Sequence, residues 1–437
     1  MRQHITGLMF ALSGLVSHGA LAGEAMDSPE TRAAPEESTG RPVQPEGIPT
    51  LQISNDFVSP QLAFGDYRPV GQVESHGVRV APFTLRAAVQ SAVGYNDNVA
   101  LSQNNRISSM FFSLSPSVAI GLEGALHRYY LVYRGNYGVY SSSTADNYAD
   151  HNVAVSASDD WTTRFRTSFL YDYGRGHVPR GTTGDAISEP LRFDTQTIRG
   201  DASYGTAGAQ GRIDGTVSYT QLRYLTAREV TAVRDNDRLE LGGTFYYRVA
   251  PRTRALFQVT HADVSHPNDA TLDSSENRYL VGATWDALAK TEGTLRVGYM
   301  TKTFDNVALG DFSGPTYEAS VRWSPRTYSV VEATARRVFG ESVSSGSSFV
   351  VANRATLSWN HAWSERVQST AGYTYGKLDQ RGLNRTETYQ NWAIKTSYAL
   401  HRALRVGAEY RRDTRESDAA GFAYKRNLTL VTLETAI

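Results

Sequence analysis

Arginines and carboxylates recur at even spacings along much of this chain. Arg238 stands two residues before Glu240, Glu318 four before Arg322, and Arg405 four before Glu409. Even spacing puts side chains on one face of a strand. A guanidinium presents a fixed fork of N–H donors that matches carboxylates and phosphates, and the same fork braces a wall when it meets a neighbouring acid. Such residues offer recognition of anionic or hydroxyl-rich solutes, or structural ion-pair ladders, which any large barrel needs. The candidates for this face are Arg128, Arg134, Arg164, Arg212, Arg238, Glu240, Arg248, Arg278, Arg296, Glu318, Arg322, Arg354, Arg405 and Glu409. Tyr130, Tyr140 and Tyr246 share it, and packing is the simpler use for their rings than stacking on sugars.

Other chemistry is poorly provided for. Asn96-Asp97-Asn98 offers oxygen ligands but lacks the loop spacing and terminal Glu of a calcium loop, so it reads as a polar turn. Gly205, Gly208 and Gly211 sit at a tight turn rather than between a strand and a helix, which removes a phosphate cradle. The ten histidines show no metal spacing, and His151, His177, His261 and His266 have no assignable nucleophile. There is no cysteine, hence no disulfide, thiolate metal site or thiol nucleophile. The expectation is a protein that is not an enzyme and uses no cofactor or metal.

The elements that carry these residues follow from composition and period. The 437 residues have zero formal net charge, and arginine greatly outnumbers lysine. Neutrality argues against a nucleic-acid partner. Mean hydropathy is −0.40, which does not suit a helical membrane protein. Arg2 and His4, an apolar stretch and Ala20-Leu21-Ala22 read as a signal peptide over 1–22, pointing to export from a Gram-negative cell. Residues 23–82 hold Pro29, Pro35, Pro42, Pro45, Pro49, Pro60, Pro69 and Pro82 and read as a largely disordered periplasmic segment.

From Phe83 onward the period is two. In HRYYLVYRGNYGVY, residues 127–140, Tyr129, Leu131, Tyr133, Tyr137 and Val139 fall on one side, and Arg128, Arg134 and Asn136 on the other. Strands are expected over 83–95, 107–122, 127–140, 149–158, 162–174, 191–205, 210–224, 237–249, 253–264, 277–287, 292–304, 315–324, 328–338, 348–360, 366–378, 387–400, 404–412 and 424–437. Short connectors such as EGAL, DDW and PRT alternate with longer polar ones such as RGHVPRGTTGDAISEP and DQRGLNRT. Short turns on one side and long loops on the other are the pattern of an outer-membrane barrel. The fold class is therefore all-β: a transmembrane antiparallel barrel over 83–437 with about 18 strands, apolar outside and polar inside.

Tyr95-Asn96-Asp97-Asn98-Val99, FFSLSPSVAIGL with Pro116, RYYLVYRGNYGVY, and Asn147-Tyr148-Ala149-Asp150-His151 follow in that order. In this the chain resembles the bacterial type 2 β-barrel porins found with exopolysaccharide and capsule synthesis machinery. The resemblance implies a cell outer-membrane porin for polysaccharide export, with no catalytic residues. A departure is the end of the last strand, LTLVTLETAI, where outer-membrane barrels usually carry an aromatic residue. The expected partners are outer-membrane lipid and lipopolysaccharide, a polysaccharide substrate and periplasmic export proteins. The alternatives are a general diffusion porin for small polar or anionic solutes and a non-conducting surface-interaction barrel.

Overall fold

The computed structural model describes residues 77–437 except 184–186, 207, 289, 343 and 345. They belong to one unit, Pro45–Ile437. The expected signal peptide, 1–22, and most of the proline-rich segment, 23–76, lie outside the described residues.

Eighteen barrel strands follow one another: β1 (Phe83–Asn96), β2 (Ser109–Glu123), β3 (His127–Tyr140), β4 (Tyr148–Asp160), β5 (Phe165–Val178), β6 (Leu191–Tyr204), β7 (Gly211–Tyr224), β8 (Asn236–Ala250), β9 (Thr253–Ser265), β10 (Ser274–Leu288), β11 (Thr291–Phe304), β12 (Phe312–Arg326), β13 (Ser329–Gly340), β14 (Phe349–Ala362), β15 (Val367–Arg381), β16 (Arg385–His401), β17 (Leu404–Ser417) and β18 (Tyr424–Ala436). Each pairs antiparallel with the next, and β18 returns to β1 from Leu428↔Asn96 to Ala436↔Ala88. The sheet closes on itself, which is how strands satisfy their backbone in hydrocarbon. No described helix is long and apolar enough to cross a membrane.

Two devices finish the seam. Ile437 and Ala87 exchange backbone hydrogen bonds. Below them a short strand, Val78–Val80, pairs with Phe83–Leu85 of β1. It lies within the span that the sequence reads as a disordered segment. At the other end of the seam Asn96-Asp97-Asn98 acts as a clamp. Asp97 accepts the backbone and side-chain N–H groups of Asn427, both at 2.6 Å, and Asn98 donates to the Lys425 carbonyl at 3.0 Å.

The strands hold 12 to 17 residues, more than the roughly 9–11 that a tilted strand needs to cross a bilayer. The turns at one end are short, with Trp161, Trp363, Tyr204 and Tyr328 exposed beside them as an interfacial girdle. These are the periplasmic turns, and the surplus strand length stands above the lipid on the other side. The extra residues explain one difference from the expected loops. DQRGLNRT is not a long loop: β15 runs to Arg381, β16 starts at Arg385, and Gly382 at φ 94° and Asn384 at φ 48° make the turn.

The side chains alternate as the barrel requires. In β18 every second residue from Tyr424 to Ala436 is sheltered, while Val431 and Leu433 are exposed. In β3, Tyr129, Leu131 and Val139 face outward, and Arg134 bonds Asn152 on the inner side at 3.4 Å.

Candidate functional site: the lumen

The inner wall is charged from end to end, and register sets which charges meet. Near the periplasmic mouth Arg212 bonds Asp214 at 2.9 Å and lies 4.3 Å from the Tyr246 ring. Next to it Arg248 and Arg254 stand opposite each other on β8 and β9. A few strands further round the mouth, Arg128 and Arg166 lie 3.9 and 4.0 Å from Asp160. A recess of about 380 Å³ opens between these walls, lined by Arg128, Asp160, Arg199, Asp201, Asp214 and Tyr246 among others. Arg322 lies between Glu292 and Glu332, at 3.8 and 3.6 Å.

At mid-height Glu318 accepts from Arg278 at 2.5 Å and from Arg296 at 3.0 Å. One strand further, Arg336 and Arg354 stand in register on β13 and β14. Like charges directly opposite destabilise a sheet, so the wall holds this pair at a cost. Beyond them the wall carries hydroxyls and an amide, with Thr356 against Thr374 at 3.2 Å and Thr370 donating to Asn360 at 2.8 Å. On the β16–β18 wall the charges are paired and buried: Glu409 with Arg411 at 3.2 Å, Lys395 with Glu434, and Asp413 with Arg426.

Of the residues singled out from sequence, Arg128, Arg134, Arg212, Arg238, Glu240, Arg248, Arg278, Arg296, Glu318, Arg322, Arg354, Arg405 and Glu409 lie on inward positions of their strands. Arg164 does not. It sits in the periplasmic turn before β5, which starts at Phe165, and Thr162 and Phe165 close that turn backbone to backbone. Arg366 likewise precedes β15 and reaches the outward-facing Tyr398 at 3.4 Å.

Sequence reading missed the upper end of the lumen. β12 and β13 pair only as far as Tyr317↔Arg337, although β12 extends to Phe312 and β13 to Gly340. Pro315 has no N–H to give to a ladder, and it lies just beyond the last pair. Pro116 shows the same effect: its pairing with β1 survives, and the β2–β3 ladder skips from Leu114↔Tyr137 to Ser117↔Arg134. Above Arg337 the ends of β13 and β14 lie inside β11 and β12. Phe339, Phe349 and Val351 continue the outward parity of Leu357, yet they pack on Met300, Phe304 and Phe312, whose parity is inward. The Phe312–Phe339 and Phe304–Phe349 ring centroids are 5.5 and 5.7 Å apart.

Charge reinforces this overlap. Lys302 is fully buried and bonds Glu276 at 2.8 Å and Glu341, just past β13, at 3.0 Å. Arg238 meets Glu276 at 2.7 Å, and His266 lies 3.6 Å from Glu341. The connection between β5 and β6 enters the same space. Its Gly181 and Thr182 carbonyls accept from Arg415 of β17 at 2.5 and 2.9 Å, and its Thr183 carbonyl accepts from Ser344 at 3.0 Å. β5 and β14 stand on opposite sides of an eighteen-strand ring, so the Thr183–Ser344 contact crosses the lumen. Gly181, at φ 76°, lies so close to the Ala100 carbonyl that a Cβ would sit 2.4 Å from it. The periplasmic side of the barrel is a charged recess, and the extracellular side is crossed by packed chain.

No curated protein matches this sequence. Among solved structures it is similar to OccK2 (OpdF) of Pseudomonas aeruginosa, at 12% identity over 81% of this chain and 98% of that one, with a TM-score of 0.46. It is also similar to a BenF-like porin from Pseudomonas fluorescens Pf-5, at 9% identity over 82% and 99% with a TM-score of 0.45. Acinetobacter baumannii OccAB3 gives 9% identity over 82% and 100%, with a TM-score of 0.45. Residues 71–436 match the model of the family described as "Putative beta-barrel porin 2". A match that spans the whole closed barrel makes the chain a member of that family of outer-membrane β-barrel porins.

Proposed function

We propose that this barrel is a conduit, not a catalyst, and that it passes small anionic, hydroxyl-bearing solutes across the outer membrane. The observation that carries the reading is the Arg336–Arg354 pair. Two guanidinium groups share one height of the lumen wall, in one row with Glu318, which stands opposite Arg336 and is also reached by Arg278 and Arg296. Like charges held side by side are relieved by an anion that takes donors from both forks. The hydroxyls of Thr356 and Thr374 lie beside the pair and suit a solute with hydroxyl groups.

Export of exopolysaccharide, the expectation from the family resemblance, uses the same wall with a longer ligand. It requires the chain that crosses the upper lumen to withdraw. The discriminating experiment is single-channel recording in a planar bilayer under a salt gradient, followed by addition of candidate solutes. The small-solute reading expects a reversal potential of anion-selective sign and block by small sugar acids. Block by acidic polysaccharide alone would favour export, and a cation-selective pore would refute the anionic reading.

A further inference from the structure

A water-filled barrel carries polar side chains at its inner positions. The wall at the seam departs from this. Ala119, Val132 and Ala154 stand in register on inner positions of β2, β3 and β4, and all three are 0% exposed. Higher up, Leu428 and Leu430 of β18 pack with Ala92 of β1 and Phe111 of β2, each 4% exposed or less. Elsewhere on the ring the inner positions meet open space: Arg212, Asp214 and Thr216 of β7 and Glu240, Thr244 and Tyr246 of β8 are partly exposed. Side chains on one face of a sheet have neighbours at their sides and nothing above them. Alanine and valine are too short to shelter themselves, so complete burial there takes a second layer. The long side chains nearby are drawn aside, Arg86 to Glu123 at 2.7 Å and Arg134 to Asn152 at 3.4 Å. Among the described elements, the close neighbours of these strands are their partners in the ladder.

The path of the chain points to the source of that layer. Gly77 comes just before the short strand Val78–Val80 at the periplasmic mouth, and a Cβ on it would lie 2.9 Å from the side chain of Arg86, an inner residue. The residues before Gly77 therefore start on the lumen side, at the foot of the seam wall. The barrel's unit begins at Pro45. Residues 45–76 carry apolar groups at Leu51-Gln52-Ile53, Phe57-Val58 and Leu62-Ala63-Phe64. They also carry the acids Glu46, Asp56, Asp66 and Glu74, against a single arginine, Arg68, and no lysine. That composition offers apolar cover to the seam wall and negative charge to a lumen rich in arginine. Length is sufficient: the chain from Phe64 to Gly77 extends up to about 43 Å, whereas Leu428 stands about 26 Å above Ala436 along β18.

We propose that residues 45–76 enter the barrel from the periplasmic mouth and dock along the seam wall of β18, β1, β2 and β3 as an inner layer. The apolar groups cover Ala119, Val132, Leu428 and Leu430, and the acids face the arginines of the lumen. The layer takes up one side of the lumen and leaves the arginine-bearing walls of β7 to β13 for solutes. That it narrows the solute path rests on the reading of the lumen as that path; the docking does not.

Photo-cross-linking in the full chain tests the docking. p-Benzoylphenylalanine replaces Phe57 in one protein and Phe64 in another, each is assembled in a Gram-negative outer membrane and irradiated, and the bridged peptides are identified by mass spectrometry. Heat-modifiable migration confirms that the barrel is folded. The inner layer predicts bridges from both positions to inward residues of β18, β1, β2 or β3. Bridges to a separate periplasmic protein, bridges to the periplasmic turns alone, or no bridge within the chain would overturn it. The absence of native cysteine allows a second measurement. Ala119→Cys is expected to react with a water-soluble methanethiosulfonate about tenfold or more slowly than Thr216→Cys on β7, because its access depends on the layer lifting away. Leu62→Asp with Phe64→Asp should remove most of that difference. Equal rates in the unaltered segment, or slow labelling that survives both substitutions, would assign the cover to something else and count against the proposal. The reversal potential separates the two readings: the expected bridges in a cation-selective pore refute the anionic solute class and leave the docked segment standing.

Discussion

Asp97 holds Asn427 by two bonds at once, one to its backbone N–H and one to its side-chain amide, each 2.6 Å long. The two residues belong to opposite edges of the sheet, so this contact fastens the closure of the barrel at its extracellular end. Hydrogen bonds to a charged acceptor are worth about 1.5–3 kcal/mol each, reduced where water reaches them. Asp97→Ala is expected to lower the temperature of the shift from compact to unfolded migration on a gel. Asp97→Asn, which retains one acceptor, should lower it less.

Charge reversal on the lumen wall addresses selectivity. Arg336→Glu with Arg354→Glu replaces two cations by two anions on in-register positions. The reversal potential under a salt gradient should move toward cation preference, while the folded migration stays unchanged. Arg164→Glu, in the periplasmic turn, should leave the reversal potential where it was.

Lys302 is a structural cation. It is fully buried between two carboxylates. Removing one partner of such a group strands the opposite charge, which costs about 3–5 kcal/mol. Lys302→Met is expected to destabilise the extracellular half, seen as faster amide exchange at the ends of β10, β11 and β13 with the periplasmic turns unaffected.

The response to acid follows from Glu341, which lies outside the strands. Burial alone raises its pKa, and the Lys302 charge and the His266 contact more than offset this, so the net shift is downward from the usual 4.5. A carboxyl with a depressed folded pKa contributes stability that is present above its unfolded value and is lost as pH falls through the folded one. Lys302, His266, Glu276 and Arg238 are the charged groups packed around it. The Lys302–Glu341 contact should therefore persist as pH drops to the usual carboxylate range. Glu341→Gln is expected to lower the temperature of the shift to unfolded migration by the same amount at neutral pH and at pH 4.5, and a smaller loss at pH 4.5 would show that the carboxylate had already taken up its proton.

Much of this architecture could be read from period and punctuation. The alternation in HRYYLVYRGNYGVY sorted Tyr129, Leu131 and Val139 from Arg128 and Arg134 correctly, because lipid and water impose opposite demands on the two faces of a strand. Short and long connectors gave the orientation. The upper lumen was harder, since alternation describes a wall and the overlap of β13 with β11 is not a wall. One signal was present: Phe349-Val350-Val351-Ala352 is a continuous apolar run, and all four residues are buried. Such a run marks a strand covered on both faces. Glu276 and Lys302 were missed differently. Glu276 lies just before the expected start of its strand, and nothing local reveals that Lys302, Glu276 and Glu341 converge. Asn96-Asp97-Asn98 read correctly as a polar turn, but its partner is 330 positions away in the sequence, beyond the reach of any local pattern.

That separation also sets the order in which the barrel is built. Neighbouring strands are joined by connectors of about a dozen residues at most and find each other quickly, whereas the pairing of β18 with β1 joins opposite edges of the whole sheet. Long-range pairings are slow because the ends must meet before any contact rewards the search. Until they meet, the chain is an open sheet with two bare edges and an apolar face, the form most prone to join another copy. The bonds of Asp97 and Asn98 and the short strand Val78–Val80 secure the two ends of that final join. Assembly of this porin is thus a race between the first strand finding the last and either edge finding a stranger.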